Sequence, residues 1–404
     1  ATMSRAARHV LKGSMWVVGG AVAISTTSHP AFGEVKARCG TSFYKNVMYP
    51  FVKMYDPEDS HNLSIWAASS GLVPYDNCAD DEILKSKVLG REFSNPLGLA
   101  AGCDKQAQAA RQFMMMGFGF VEVGSVTPEP QDGNDKPRCF RMNEDEGIIN
   151  RYGFNSDGAD VVLERLQTAR AEGDMPGVLM VNLGKNKTAD AIPDYIYGVK
   201  KFKDVADMMV VNISSPNTPG LRNLQGKKEM TALMSAVVKT RNAECPHVPI
   251  LVKIAPDLSD AELKDVCNVV VSTKMDGMVI SNTTNQRPAS LRGSSKGETG
   301  GLSGLPVKDL STAMIKKAYA LTKGQVTIIG VGGVGTGLDA YEKIKAGASL
   351  VEMYSRLSME GPWAPPKIKI ELRRLLQEDE YESVSEAVGA DHRPPKKKAE
   401  KKDD

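Results

Sequence analysis

The chain of 404 residues carries almost no net charge, since its basic and acidic side chains leave a formal +2. Without a chain-wide field, nucleic acid is excluded as an expected partner. Cysteine pairs are also missing. Cys39, Cys78, Cys103, Cys139, Cys245 and Cys267 are scattered with no C-x-x-C among them, which excludes a disulfide framework and a zinc or iron–sulfur site; they read as free thiols, and no metal is expected. The phosphate loop G-x-x-x-x-G-K-[ST] is absent, because Gly220 and Gly226 stand one residue too far apart and Lys228 replaces the hydroxyl residue. Nucleoside triphosphate chemistry is therefore not expected. Long apolar runs are scarce. Met15 to Ile24 as a helix would reach about 15 Å, against roughly 30 Å for a bilayer core; extended from Val10 to Ser28 it approaches spanning length, so a single anchoring helix stays open. Acid is absent before Glu34, whereas Arg5, Arg8, Lys12 and several Ser and Thr are present. That composition predicts a mitochondrial targeting segment over 1–36, with a secretory signal as the alternative.

What is present is apolar material enough for one large barrel or two ordinary domains, at 41% hydrophobic and 25% charged residues. From residue 94 onward, short apolar or β-branched runs alternate with helix-length segments, the pattern of repeated βα units. Eight strands are predicted, over 94–101, 118–124, 177–183, 207–213, 249–255, 276–282, 325–331 and 349–354. Between them, stretches such as Asp157 to Ala171 and Ser259 to Lys274 have helical spacing and cap-forming starts. Eight parallel strands imply a closed (βα)8 barrel of the TIM type, over 89–393. In such barrels the chemistry sits where strands end, because the following loops converge on one rim. The strand ends here read Ala-Ala-Gly102, Gly124-Ser125, Asn182-Leu-Gly184, Asn212-Ile-Ser214-Ser215, Lys253-Ile, Ser281-Asn282-Thr283-Thr284, Gly332-Gly333 and Tyr354-Ser355, dense in hydrogen-bonding groups and small residues. Ahead of the barrel, over 37–88, Phe43, Val47, Phe51 and Tyr55 recur every four residues and Leu63, Trp66 and Ala67 mark a second apolar face. Two small amphipathic helices are expected there, either plugging one barrel end or facing a membrane or ligand. The lysine-rich segment 394–404 reads as a disordered tail.

Gly330, Gly332 and Gly335 match G-x-G-x-x-G after a strand, and Glu352 follows near the separation expected of a ribose-binding acid. A dinucleotide domain would need several further βα units, and only one strand and one helix remain. The motif instead occupies the seventh strand, where barrel loops commonly hold one phosphate through backbone N–H groups; Gly332, Gly333, Tyr354 and Ser355 are placed for that. A single phosphate points to a mononucleotide. Lys253, in the apolar strand Leu251-Val252-Lys253-Ile254, must be paired or aimed at an anionic ligand, because an unpaired buried ammonium is costly. An anionic reduced flavin would supply the charge, and a carboxylate on a neighbouring strand is the alternative. Lys105, beside Asp104, is either a ligand contact or a solvated charge. The loop Asn212 to Pro219 is stiffened by two prolines and can present several polar groups to one ligand, or be a self-capping turn.

These motifs together resemble the membrane-bound, quinone-dependent branch of the dihydroorotate dehydrogenases. The resemblance runs from about Phe43 to Arg393. It is carried by Asn95-Pro-Leu-Gly-Leu-Ala-Ala-Gly102, Met116-Gly-Phe-Gly-Phe-Val-Glu-Val-Gly-Ser125-Val-Thr-Pro128, Ile149-Asn-Arg-Tyr-Gly-Phe-Asn155, Val181-Asn-Leu-Gly-Lys-Asn-Lys-Thr188, Ser281-Asn-Thr-Thr284 and Glu298-Thr-Gly-Gly-Leu-Ser-Gly304. It implies FMN held by Ala100, Ala101, Gly102, Lys105, Gly124, Ser125, Asn150, Asn182, Asn212, Lys253, Ser281, Ser303, Gly304, Gly332, Gly333, Tyr354 and Ser355. It implies dihydroorotate, leaving as orotate, gripped by Lys105, Asn150, Arg151, Tyr152, Gly153, Phe154, Asn212, Asn217, Asn282 and Thr283, with Ser215 as the base. Serine is a poor base unaided, so Thr218 or an enclosed water would relay the proton, no histidine being adjacent. Lys253 would stabilise the reduced flavin's charge. Soluble relatives carry cysteine at the base position, so Ser215 and residues 37–88 select the membrane-bound branch. That branch implies ubiquinone in a tunnel under the N-terminal helices, with His61, Arg141 and Tyr354 near its head group, at lipid of the mitochondrial inner membrane, in pyrimidine biosynthesis. Cys103 stands where the branch has an aromatic, a departure that bears on the tunnel's width.

Overall fold

The computed structural model describes residues 30–394. The predicted leader up to residue 29 and the tail from 395 lie outside the described residues.

The eight predicted strands all form and close in one parallel barrel. They are β3 (Leu97–Leu99), β4 (Phe120–Val126), β7 (Val178–Leu183), β8 (Met208–Asn212), β9 (Ile250–Ile254), β10 (Gly277–Ile280), β12 (Thr327–Val331) and β13 (Leu350–Met353). Most of their residues are buried on both faces, as a barrel jacketed by helices requires. The first strand is shorter than the expected 94–101. Pro96 has no N–H for the ladder, and the Asn95 side chain instead accepts from the Leu97 N–H at 3.0 Å. The expected helices appear as Ala159–Ala171 and Asp260–Thr273; the second starts in a capping box between Ser259 and Glu262.

Strand periodicity builds the site. One cluster of inward side chains, including Phe120, Met180, Val210, Leu251 and Leu350, fills the barrel's lower interior. Because side chains alternate along a strand, the inward residue two steps later on each strand is the next layer up. Those residues are Glu122, Asn182, Asn212, Lys253 and Glu352, all buried. The apolar floor thus gives way within one layer to a polar one beneath the C-terminal rim.

One expectation about the N-terminal part is corrected. The lower barrel mouth is plugged not by helices but by a hairpin of β1 (Ser86–Val88) and β2 (Arg91–Phe93), whose Val88 and Phe93 join the interior cluster. The boundaries drawn at 36/37 and 88/89 fall inside the helix Pro30–Phe43 and in the turn of that hairpin. The expected pair of small helices becomes Pro30–Phe43, running on through a π-helical turn at Tyr44–Met48 into Tyr49–Val52, and then Pro57–Ser69, capped by Asp56. A three-stranded antiparallel sheet of β5 (Cys139–Met142), β6 (Gly147–Asn150) and β11 (Gly301–Gly304), not anticipated as an element, lies over the rim. A bridge between Thr284 and Leu302 ties it to the loop after β10.

Candidate active site

Two adjoining clefts open at the rim. The larger, of about 320 Å³, is lined by Ala100, Ala101, Lys253, Ser281, Ser303, Gly304, Gly332, Gly333, Tyr354 and Ser355 among others. The smaller, of about 130 Å³, is lined by Gly102, Lys105, Ser125, Asn150, Tyr152, Gly153, Phe154, Asn212, Ser215 and Asn217, with Cys139 at its side. They are continuous, because Ala101, Lys253, Asn282, Thr283, Ser303 and Tyr354 face both. Residues spread over more than 250 positions of sequence meet here.

At the far end of the larger cleft, Gly332 and Gly333 take φ of +116° and +73°, backbone that other residues rarely adopt. A side chain on Gly333 would meet Lys308 Cβ at 2.5 Å, so the loop can pass only as glycine. Ser355 Oγ donates to Ser303 Oγ at 2.8 Å, joining the loop after β13 to the covering sheet.

At the junction of the clefts lies a hydrogen-bonded polar layer. Ser125 Oγ donates to Asn182 Oδ1, and Asn212 Nδ2 donates to Ser125 Oγ at 2.9 Å. Asn282 Nδ2 donates to Ser214 Oγ at 2.9 Å, and Asn217 Nδ2 to Asn150 Oδ1 at 3.3 Å. The asparagines hold one another in place, which fixes their remaining donors and acceptors toward the smaller cleft. Ser215 is buried and its Oγ accepts from the Asn217 N–H at 3.3 Å. Thr218 Oγ1, three residues on, is buried without a hydrogen-bond partner among the described residues. Lys105 Nζ lies 3.7 Å from the centre of the Tyr152 ring. Burial pushes the Lys105 ammonium down to about 8, against the opposing influence of Cys139 and Cys103.

Lys253 takes the carboxylate alternative, from neighbouring strands, while its side chain still reaches the clefts. It lines both clefts, and its Nζ also sits 2.6 Å from Glu122 Oε2 and 3.6 Å from Glu352 Oε2. Burial works to lower its pKa, but the two acids outweigh it and hold the ammonium above the ordinary lysine value. For Glu122 burial is likewise the largest influence and raises it, yet Lys253 and the Asn182 hydrogen bond prevail and keep it low. Glu352 goes the other way, raised well above a normal carboxylate by burial and then by Glu122.

Some of the expected residues line neither cleft. Gly124, Asn182 and Thr218 are among them. The Arg151 side chain is held by Glu298 at 2.6 Å and stacks on Phe140, and it lines neither cleft. His61, on Pro57–Ser69, approaches Tyr354 Oη at 3.4 Å through Nδ1, and burial pushes its imidazole down to about 3. Arg141 donates to the Tyr55 carbonyl at 2.8 Å, outside the clefts. Two contributors went unread. Glu122 was visible as the one acid in an otherwise apolar strand. Arg222 donates to the carbonyls of Ser214 and Thr283 and pairs with Asp257 at 2.7 Å, stitching two rim loops together, and no local signal marks it.

With this geometry in view, comparison with known proteins is decisive. The family model described as Dihydroorotate dehydrogenase matches residues 83–376. The chain belongs to the dihydroorotate dehydrogenase family. It is 50% identical over 349 residues to the dihydroorotate dehydrogenase (quinone) of Azorhizobium caulinodans, covering 85% of this chain and 98% of that relative. It is 47% identical over 387 residues to the mitochondrial dihydroorotate dehydrogenase (quinone) of Mus musculus, covering 93% and 96%. A crystal structure of DHODH from Eimeria tenella in complex with ferulenol superposes with a TM-score of 0.81 at 45% identity, over 84% of this chain and 96% of that one. The barrel is thus that of the dihydroorotate dehydrogenase fold, an oxidoreductase family of flavoenzymes, and the two relatives named above are quinone-dependent members of it.

Proposed function

We propose that this chain oxidises dihydroorotate to orotate in pyrimidine biosynthesis, with FMN in the larger cleft, dihydroorotate in the smaller one and ubiquinone as the final electron acceptor at the mitochondrial inner membrane. The reaction and the quinone acceptor come with the family. The observation that carries the arrangement is the continuity of the two clefts across Lys253, Asn282 and Ser303, with a glycine loop suited to one phosphate at one end and Ser215 in the other.

The residues present fit a flavin mononucleotide. A polar layer with a buried lysine underlies the space, and the Gly332-Gly333 turn lets backbone approach a phosphate closely. When bound, FMN supplies the hydride acceptor that no side chain can provide. Lys253 offers a cation to the charge that reduction creates. The asparagines Asn150, Asn212, Asn217 and Asn282 and the Thr283 hydroxyl present donors and acceptors suited to ring amides and a carboxylate. Ser215 Oγ takes the proton from the substrate carbon, and the unpartnered Thr218 hydroxyl is the next stop for it. The β5–β6–β11 sheet contributes Cys139, Ile148, Asn150 and Ser303 to the walls of the smaller cleft, where a bound substrate would be partly screened from bulk water.

The membrane side rests on the N-terminal helices. Nine of the sixteen large hydrophobic side chains exposed among the described residues fall between Val35 and Leu72, including Phe51, Met54, Leu63 and Trp66. No described helix is long and apolar enough to cross a membrane, so these faces suit lying on a bilayer, with His61, Tyr354 and Arg141 toward the quinone head group. The basic, acid-poor leader supports mitochondrial import.

The test is Ser215→Ala in purified yellow protein. Stopped-flow flavin bleaching by dihydroorotate is expected to slow about 10²–10⁴-fold while the flavin stays bound. Bleaching at the normal rate would remove Ser215 from the role of base.

A further inference from the structure

Glu352 was first marked by a dinucleotide pattern that the fold does not use, yet it ends at the centre of the site. Its side chain is 0% exposed, as is that of Glu122, and the lysine between them is 5% exposed. Two carboxylates and one ammonium, all out of water, leave one negative charge too many if both acids ionise. The hydrogen bonds decide which acid keeps its proton. Glu122 accepts from the Ala101 N–H at 3.0 Å, from Asn182 Nδ2 at 2.7 Å and from Lys253 Nζ at 2.6 Å, a full set of donors for an anion. Both oxygens of Glu352 lack a hydrogen-bond partner among the described residues, and its nearest cation is the same lysine at 3.6 Å. Donors stabilise the charged form where they converge, and burial without donors stabilises the neutral one.

We propose that Glu352 is held as the neutral acid on the wall of the cofactor cleft, as a positioning residue that leaves the Glu122–Lys253–Glu352 cluster without net negative charge and so keeps the lysine's charge available to a reduced flavin. The inference rests on the FMN reading for its purpose but not for the protonation state itself. A second carboxylate here would neutralise Lys253 twice over and oppose electron uptake in the cleft; a neutral carboxyl adds an O–H donor instead. Burial and Glu122 both push Glu352 upward, and among the described residues Lys253 draws it down.

The test begins with infrared spectra of cofactor-free protein. Wild type is expected to show a protonated-carboxyl C=O band that shifts in heavy water and is lost in Glu352→Gln. In Glu122→Gln the band is also expected to vanish, because Glu352 is then the only acid left for Lys253 and ionises. A wild type without the band, or a band that survives Glu352→Gln, overturns the proposal. Persistence in Glu122→Gln overturns the coupling and leaves burial alone as the cause. With flavin bound, the midpoint potential of Glu352→Gln at neutral pH is expected to match wild type; a rise would mean that wild-type Glu352 carries a charge, against the proposal. Purified protein that binds no FMN would defeat the functional reading while the infrared result still stands.

Discussion

Two clusters among the described residues bury one lysine between two acids, and they do opposite things. At the helix Ala364–Glu378, Lys369 Nζ pairs with Asp76 at 2.9 Å and Asp80 at 2.5 Å. There each acid has a further donor: the Cys78 N–H for Asp76 and Asn95 Nδ2, at 2.7 Å, for Asp80. All charges are satisfied, and the cluster fastens residues 76–80 to the barrel's last helix. In the site, the same composition sits deeper and one acid has no donor nearer than the shared lysine at 3.6 Å. Stitching uses completed hydrogen bonds, whereas a reactive centre keeps groups whose partners arrive with the ligand.

Removing each lysine is the strongest way to break the comparison. Lys369→Met leaves two buried acids against each other and is expected to lower stability by about 3–5 kcal/mol in denaturant titrations, while protein that stays folded remains yellow. Lys253→Met is expected to lose the flavin under conditions where far-ultraviolet circular dichroism still shows the barrel. Equal loss of flavin in both variants would erase the distinction.

The acids sharpen it further. Asp80→Asn should weaken the fastening cluster by roughly 1.5–3 kcal/mol, the worth of a hydrogen bond to a charged group. Glu352→Gln should do the reverse as pH rises. A carboxyl whose folded pKa is raised binds a proton in the native state that the unfolded chain releases, so it subtracts stability above the ordinary carboxylate range, increasingly up to the folded pKa. The glutamine variant should therefore match wild type near pH 4 and exceed it at pH 8 by thermal melting. A wild type no less stable than the variant at pH 8 would place a charge on Glu352. Glu122, lowered in the fold, works with the opposite sign: its contribution is present above the ordinary carboxylate range and is lost as pH falls through its folded pKa. Smallest should be Ser259→Ala, at about 1 kcal/mol, since its capping box with Glu262 faces solvent.

What the sequence made legible follows from physical range. All eight barrel strands were readable because each is an apolar run flanked by turn residues, and the rim was readable because parallel strands must end together. The plugging hairpin and the β5–β6–β11 sheet were not, since their short strands mix polar side chains with apolar ones, whereas equally short barrel strands such as β3 and β10 carry no polar side chain. Ser215, Lys253 and the asparagines could be named in advance from loop chemistry and resemblance. Arg222 could not, because its partners lie up to 61 positions away and an arginine in a loop has no distinguishing pattern.

The helix Pro57–Ser69 shows an apolar outer side with Leu63 and Trp66 exposed, yet on its inner side Glu58 grips Arg138 through two hydrogen bonds, of 2.9 Å and 3.1 Å. Arg138 immediately precedes β5 and also donates to the carbonyls of Asp132 and Asn134, beside the sheet that walls the smaller cleft. The covering sheet and the helix with the exposed apolar side therefore share one fastener. Whatever surface immobilises the helix also stiffens the roof of the reaction chamber, and a roof lifting to admit substrate must either carry that helix with it or part a buried ion pair.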